Sequence, residues 1–426
     1  MKSRPTADRT AYLNFYFQVH QPRRIRPFGF FDIGKDLSFF DDDLNKAIIQ
    51  RVSRNCYLPA NAMFLELIRR FPQIRITFSI SGVALEQFRM YAPEVLQSFK
   101  DLASTGSVEF LGETYFHSLT FLSDPDEFVA QVKRHQMAME ENLAVSPSIF
   151  RNTELIYSDD VGRLVAKLGF KAIYTDGIEK ILHRRSPDHL YEHIDGNGLK
   201  IFLRNYSLSD DIAFRFSDRT WKEWPLTAAK FMRWLQVNSL SGRLTTLGLD
   251  YETFGEHQKA ETGIFQFMRK LMSSLATSKH LRTLTPSEAI HLLIPHGRIS
   301  SLSPLSWADK ERDLSAWLGN DLQRDAFDTS NALGRAIAAR GDNNLKELWN
   351  YLQTSDHFYY MSTKKGDDGK IHNYFSPYSS PYEAFINYMN VLSDLALRLK
   401  RMKKSTLIKK RKGRANSLKQ KKLLVA

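Results

Sequence analysis

The sequence predicts an α/β protein in which a closed or nearly closed barrel of parallel strands is followed by an α-helical domain. Three observations carry this. Seven short apolar runs each deliver polar residues at or near their C-terminal ends, amphipathic stretches of helical period lie between them, and after about Leu293 the strand-like runs give way to helices. Buried runs alternating with helices are the pattern of parallel βα units. So many units favour a barrel, whose functional residues collect at the carboxyl ends of its strands. An open doubly wound sheet would place a glycine-rich phosphate loop after its first strand. Here that strand ends in His20-Gln21-Pro22.

In chain order the expected strands are Tyr12–Val19 before His20, Ile74–Ile80 before Ser81, Val108–Leu111 before Glu113, and Ser148–Asn152 before Glu154. Ala172–Thr175 before Asp176, Lys200–Leu203 before Arg204 and Leu244–Leu249 before Asp250 complete the seven, with Leu281–Leu284 as a candidate eighth. Helical period marks Asn61–Arg70, Pro125–Leu143, Asp159–Leu168 and Leu226–Asn238. Beyond the barrel, Asp309–Trp317, Asp321–Arg340, Leu345–Thr354 and Pro381–Leu399 read as helices, and Thr363–Ser380, rich in Gly, Lys, Ser and Pro, reads as a loop. The expected domains are therefore a barrel over 1–293, a helical domain over 294–399 and a basic tail over 400–426.

The net charge of +13 belongs to that tail: Lys400–Lys422 holds twelve Lys or Arg and no acid, which leaves +1 for the rest. A basic block of this kind reads first as a solvated, disordered extension, with contact to nucleic acid or an anionic surface as the second reading. It has no interleaved aromatics to stack on bases. There is no apolar run of membrane-spanning length. The polar stretch Met1–Arg9 does not read as a signal peptide, and the single cysteine, Cys56, fits the cytoplasm.

The strongest chemical signal is Asp250-Tyr251-Glu252-Thr253-Phe254-Gly255-Glu256-His257, three acids and a histidine directly after a buried run. In a strand, Asp250 and Glu252 point the same way. Carboxylates held close in a cleft push their pKa values apart, which keeps one of them protonated near neutrality. The second signal is Glu154, preceded by Arg151-Asn152-Thr153, cationic and amide neighbours that favour an ionised nucleophile. Two such carboxylates from different strands, roughly 5–5.5 Å apart, form the arrangement of a retaining glycosidase.

Weaker candidates for substrate binding surround this pair. They are His20 at the first strand end, Glu109 and Glu113 in the run that ends at His117, Glu252 and His257 after Asp250, and Asp356-His357 in an aromatic patch of the helical domain. Trp221, Trp224 and Tyr251 are candidate stacking platforms, since sugar faces pack on aromatic rings. For most of these residues core packing is the simpler reading.

Taken in order, His20-Gln21-Pro22, Gly106-Ser107-Val108-Glu109, the Glu154 segment and Asp250-Tyr251-Glu252-Thr253-Phe254-Gly255 resemble the motifs of glycoside hydrolase family 57 over roughly Tyr12 to Leu399. The resemblance implies an incomplete (β/α)7 TIM-like barrel followed by a helical bundle, with Glu154 as nucleophile and Asp250 as general acid/base. It also implies an α-glucan substrate (starch, glycogen or maltodextrin), hydrolysis or glucan transfer as the reaction, and no cofactor or metal. The chain departs from many members in having Arg151-Asn152-Thr153 where they carry Trp-x-Pro. A fifth motif falls near Thr285-Pro286-Ser287-Glu288.

Two other classes compete. A metal-dependent hydrolase, such as a polysaccharide deacetylase or α-mannosidase-like enzyme, would draw ligands from His20, Asp176, Asp250 and His257, although no short His or Asp ligand pair marks the strand ends. A non-catalytic binding protein would act through the basic tail.

Overall fold

The computed structural model describes residues 10–401. Its described chain divides into two compact units. One comprises residues up to Pro22 together with Asp42–Ala316, and the other comprises Arg23–Asp41 together with the chain from Trp317 onward.

The first unit is built on ten strands: β1 (Ala11–Val19), β2 (Ile76–Ile80), β3 (Val108–Leu111), β4 (Ile149–Arg151), β5 (Ala172–Asp176), β6 (Leu190–His193), β7 (Lys200–Arg204), β8 (Leu244–Asp250), β9 (Leu281–Thr283) and β10 (Arg298–Ile299). Seven of them form a ring of parallel neighbours. β1 pairs with β2, β2 with β3, β4 with β5, β5 with β7, and β8 with β1. Two narrow seams close the ring. At Gly112, the Gly112 N–H donates to the Ile149 carbonyl at 2.8 Å and the Arg151 N–H to the Gly112 carbonyl at 2.8 Å. Between β7 and β8 only Arg204 and Thr246 are in register, continued by Asn205 N–H to the Thr246 carbonyl at 2.8 Å.

These seven are the seven runs expected from the sequence. The candidate eighth run is a real strand but lies outside the wall: β9 pairs only with the first residues of β1, from Ala11 to Leu13. β6 runs antiparallel to β7, and β10 pairs with β6, so both extend the sheet beyond the ring.

The barrel interior is filled from its amino end by Tyr12, Tyr16, Ile149, Ala172, Tyr174, Phe202 and Leu244, with Ala289 from the helix Pro286–Leu292 closing the floor. A second cluster, including Phe128, Phe150, Val161, Val165, Ile173 and Ile201, packs helices onto the outer face. Burial of this kind stabilises by about 25 cal/mol per Å² of apolar surface removed from water.

The boundary expected at 293 falls too early. Three contacts tie the next twenty residues to the barrel unit. β10 pairs with β6, Tyr157 and Leu305 exchange backbone hydrogen bonds, and Arg312 reaches Asp176 at 3.0 Å. For the same reason Asp309–Trp317 is not the expected helix; only Ser315–Leu318 is helical there.

In the second unit the helices Asp321–Ala338, Asn343–Leu352 and Ser355–Tyr359 precede a long helix over 381–401. Arg23–Asp41 joins this unit: Phe28 N–H donates to Asn387 Oδ1 at 2.5 Å, and Asn390 Nδ2 to the Phe28 carbonyl at 3.0 Å. The expected loop over 363–380 contains a helix, Gly366–Phe375, held by His372 stacked on Tyr359 at 3.7 Å. Of the basic tail only Lys400 and Arg401 fall among the described residues, at the end of the long helix. The tail's expected disorder and nucleic-acid contact thus concern residues outside that range. Among the described residues no helix is long and apolar enough to cross a membrane.

Candidate active site

The carboxyl ends of β1, β3, β4, β5, β7 and β8 supply the charged side chains of one cluster. β4 ends at Arg151, and the chain then turns sharply through Thr153–Leu155. Glu154 (φ 57°) and Leu155 (φ 53°) both occupy the left-handed region, which costs a side-chain-bearing residue about 1–2 kcal/mol. Such strain persists only where the surroundings over-determine it, and it concentrates at functional sites. Here Asn152 Nδ2 donates to the Ile156 carbonyl at 2.9 Å, Thr153 and Thr114 hydroxyls bond at 2.8 Å, and Thr175 Oγ1 donates to the Leu155 carbonyl at 3.3 Å. The turn projects the Glu154 carboxylate, 18 % exposed, outward from the strand end.

Two N–H groups hold that carboxylate. His117 Nε2 lies 3.2 Å from Oε1, and the Trp307 indole Nε1 donates to Oε2 at 2.9 Å. Charge-assisted hydrogen bonds of this type are the strong ones. The other imidazole nitrogen, His117 Nδ1, lies 3.2 Å from Glu113 Oε2. Burial pulls His117 down, but its bonds to Glu113 and Glu154 overcome this and raise it to about 9. At neutral pH it is an imidazolium that donates to both carboxylates. For Glu113, burial works upward, yet the His117 bond and the charges of His117, His135 and Arg151 hold it below the usual range. His20 stacks on His117 with ring centres 4.0 Å apart, and its Nδ1 bonds Ser81 Oγ at 2.7 Å.

Asp250 ends β8. Burial, and then the negative charge of Glu154, push its carboxyl up to about 6, against the opposing charges of Arg151, Arg204 and His117. Glu252, two residues on, goes further: burial and the Asp250 charge raise it to about 8. Its Oε1 accepts from Gln21 Nε2 at 3.2 Å and from the Tyr57 hydroxyl in a short bond. The turn after it needs Gly255, with φ +103° and a Cβ position that the Asn55 carbonyl already occupies.

Of the expected substrate-binding residues, His20 joins the cluster, while three carboxylates serve other groups. Glu113 is fully buried behind His117, and Gln18 Nε2 approaches it at 3.4 Å. Glu252 is committed to Tyr57 and Gln21. Glu109 accepts from the Ser287 N–H at 2.9 Å and the Ser287 hydroxyl at 2.5 Å, so it caps the floor helix. A strand-end carboxylate in the sequence says nothing of whether a protein donor has already claimed it.

His257 is half-buried, and burial pushes its imidazole down to about 4. Trp221 packs edge-on against Trp234 at 6.0 Å, with the Arg215 guanidinium 5.8 Å from its ring centre. Tyr251 is a core residue, its hydroxyl donating to Asn61 Oδ1 at 2.6 Å. Asp356 and His357 belong to the second unit, on Ser355–Tyr359, where the His357 ring packs 5.8 Å from Tyr388.

Sequence reasoning missed Trp307 and Arg312. They lie on an aperiodic segment about 150 residues after Glu154, beyond the point where the strand pattern ends. Asp176, one of the four residues available to a metal reading, is bonded by Arg204 at 3.2 Å and by Arg312 at 3.0 Å. Two guanidinium groups thus occupy a carboxylate that a metal would need.

A parallel seven-stranded barrel with the carboxyls of Glu154 and Asp250 at its strand ends, the second pushed up to about 6, has the layout of a glycosidase. Comparison with known proteins agrees. The model of glycosyl hydrolase family 57 matches residues 14–301. A Methanocaldococcus jannaschii protein named "Putative alpha-amylase" is 42% identical over 425 residues, covering 96% of this chain and 89% of its own.

Among solved structures, the branching enzyme of Pyrococcus horikoshii superposes with a TM-score of 0.66 at 14% identity, over 93% of this chain and 91% of that one. The 4-alpha-glucanotransferase of Thermococcus litoralis gives 0.61 at 15% identity, over 82% of this chain and 56% of that one. These two show a shared fold. The chain belongs to glycosyl hydrolase family 57 and is a glycoside hydrolase.

Proposed function

We propose that this enzyme is a retaining α-glucan hydrolase that cleaves α-1,4 glucosidic bonds through a covalent intermediate on Glu154. The observation that carries the reading is the contrast between two carboxyls at the carboxyl ends of β4 and β8. Glu154 sits in a strained turn between two N–H donors, and Asp250 is pushed up to about 6. The choice of α-1,4 glucan is supported by the name of the relative that is 42% identical.

In the first half-reaction Glu154 attacks the anomeric carbon, and the bond to the leaving oxygen breaks as Asp250 gives that oxygen its proton. In the second, Asp250 takes a proton from water, which displaces Glu154 and restores the anomeric configuration. His117 and Trp307 hold the attacking oxygens at fixed angles, so less reorganisation is needed at the moment of attack. Because one hydrogen bond from each donor lands on a different oxygen, both must yield partly as the glycosyl bond forms. Asp250 follows a different logic: each ionisation of Glu154 makes its proton harder to lose, and consumption of that charge in the intermediate makes the proton easier to lose. The acid of the first step thereby becomes the base of the second.

The test is purified protein on maltoheptaose and soluble starch, with Glu154→Gln as control. New reducing ends that vanish in the variant are the expected result. Longer and shorter oligomers without new reducing ends would assign the same intermediate to glucan transfer, as in a 4-α-glucanotransferase or branching enzyme. Substantial turnover by Glu154→Gln would remove the nucleophile assignment.

A further inference from the structure

Trp307 reaches Glu154 from a loop with no regular secondary structure, and Arg312 of that loop joins three charged side chains of the barrel unit. Asp176 Oδ1 accepts from Arg204 at 3.2 Å and its Oδ2 from Arg312 at 3.0 Å. Asp210 repeats the pattern, with Oδ1 accepting from Arg204 at 2.6 Å and Oδ2 from Arg312 at 3.3 Å. Two carboxylates and two guanidinium groups thus form a closed ring. Asp176, Asp210 and Arg204 belong to the barrel wall and the helix Tyr206–Ala213 that follows it, and only Arg312 comes from the loop.

Arg312 has one further bond, a short one from Nη1 to the main-chain carbonyl of Trp307 itself. Its guanidinium also lies 5.0 Å from the Tyr206 ring centre. The base of the loop is tied by Ser306 N–H to the Arg312 carbonyl at 3.0 Å and Ser306 Oγ to the Asp313 carbonyl at 2.7 Å. Both Asp309 (φ 57°) and Arg312 (φ 52°) take left-handed backbone to make this closure. The indole so placed lies over Arg151 and Arg204, with guanidinium carbons 4.7 and 5.6 Å from its ring centre, and donates to Glu154.

We propose that Arg312 is a positioning residue: its fork clamps the 306–313 loop to Asp176 and Asp210, and so keeps the Trp307 indole N–H on the nucleophile. The proposal rests on Glu154 as nucleophile. A guanidinium suits the task because its planar fork spans two carboxylates and a carbonyl at once, which an ammonium does not. Arg312 is partly exposed, so a neutral replacement leaves the barrel core filled.

The test is a double-mutant cycle of Arg312→Met and Trp307→Phe on maltoheptaose, read as kcat and KM across pH. Each single change is expected to lower kcat by on the order of ten- to a hundredfold with KM little changed, the size of losing a hydrogen bond to a charged group. The double variant should fall no more than about threefold below the worse single one, since both act through one hydrogen bond. In both single variants the acid limb of kcat should move to higher pH, because Glu154 has lost an N–H donor.

Should Arg312→Met fail to fold, Arg312→Lys takes its place, with the same expected non-additivity. Multiplicative losses, or an acid limb left where the parent has it, would overturn the proposal. Glu154→Gln run alongside separates the two readings. If it retains turnover, the nucleophile assignment fails. If it is inactive while the cycle is multiplicative, only the clamp fails.

Discussion

Asp250→Asn separates what this carboxyl does for catalysis from what it costs the fold. In the folded chain Asp250 titrates at about 6, against an ordinary value of 3.8. The folded state therefore holds a proton that the unfolded state has already released. The stability that goes with this retained proton is fully present below pH 3.8 and is lost as pH rises through 6. A difference of about two units amounts to about 3 kcal/mol above pH 7.

Asparagine does not ionise, so the stability gap between variant and parent should widen by about 3 kcal/mol between pH 4 and pH 7.5. Relief at Glu252 adds to the gap, because the Asp250 charge is part of what raises that neighbour. The assay is denaturant unfolding of both proteins across this range. Over the same substitution the rate on maltoheptaose should fall by about 10² to 10⁴, and by less on a glucosyl fluoride whose leaving group needs no proton. A gap that stays constant with pH would refute the electrostatic account of Asp250. Equal rate losses on both substrates would refute its role as acid.

The alkaline limb of kcat/KM should fall near pH 6, since Asp250 must keep its proton; a limb above pH 8 would mean that another group donates. In Glu154→Gln the Asp250 carboxyl should titrate below its parent value, read by carbon NMR of labelled aspartate, because the charge that raises it is gone; an unchanged value would mean that the two carboxyls do not sense each other. Glu109→Gln should leave KM within about twofold and lower stability by about 1–3 kcal/mol through the lost cap on Ser287. A large KM effect would return Glu109 to the substrate site.

The wall of the barrel was legible because each of its strands is a short apolar run that hands over to polar residues where the chain leaves the core. That single habit located all seven ring strands, and with them Glu154 and Asp250. The partners of these carboxyls were not legible in the same way. Trp307 and Arg312 lie on a loop whose order comes from hydrogen bonds to distant strands, and such a loop carries no period. Glu109, Glu113 and Glu252 looked like substrate ligands because a sequence shows a carboxylate but not the Ser287, His117 or Tyr57 that binds it. Gly366–Phe375 was hidden by a composition of Gly, Asp and Lys, and its helix is fixed instead by the stack of His372 on Tyr359.

The most direct test of the account is to trap the intermediate. The enzyme would be incubated with a ring-fluorinated α-glucosyl fluoride, digested, and mapped by mass spectrometry. The account predicts one added glycosyl group, on the peptide that contains Glu154, and none on Glu154→Gln. A glycosyl group on Asp250, or on any other carboxylate while Glu154 stays unmodified, would contradict it.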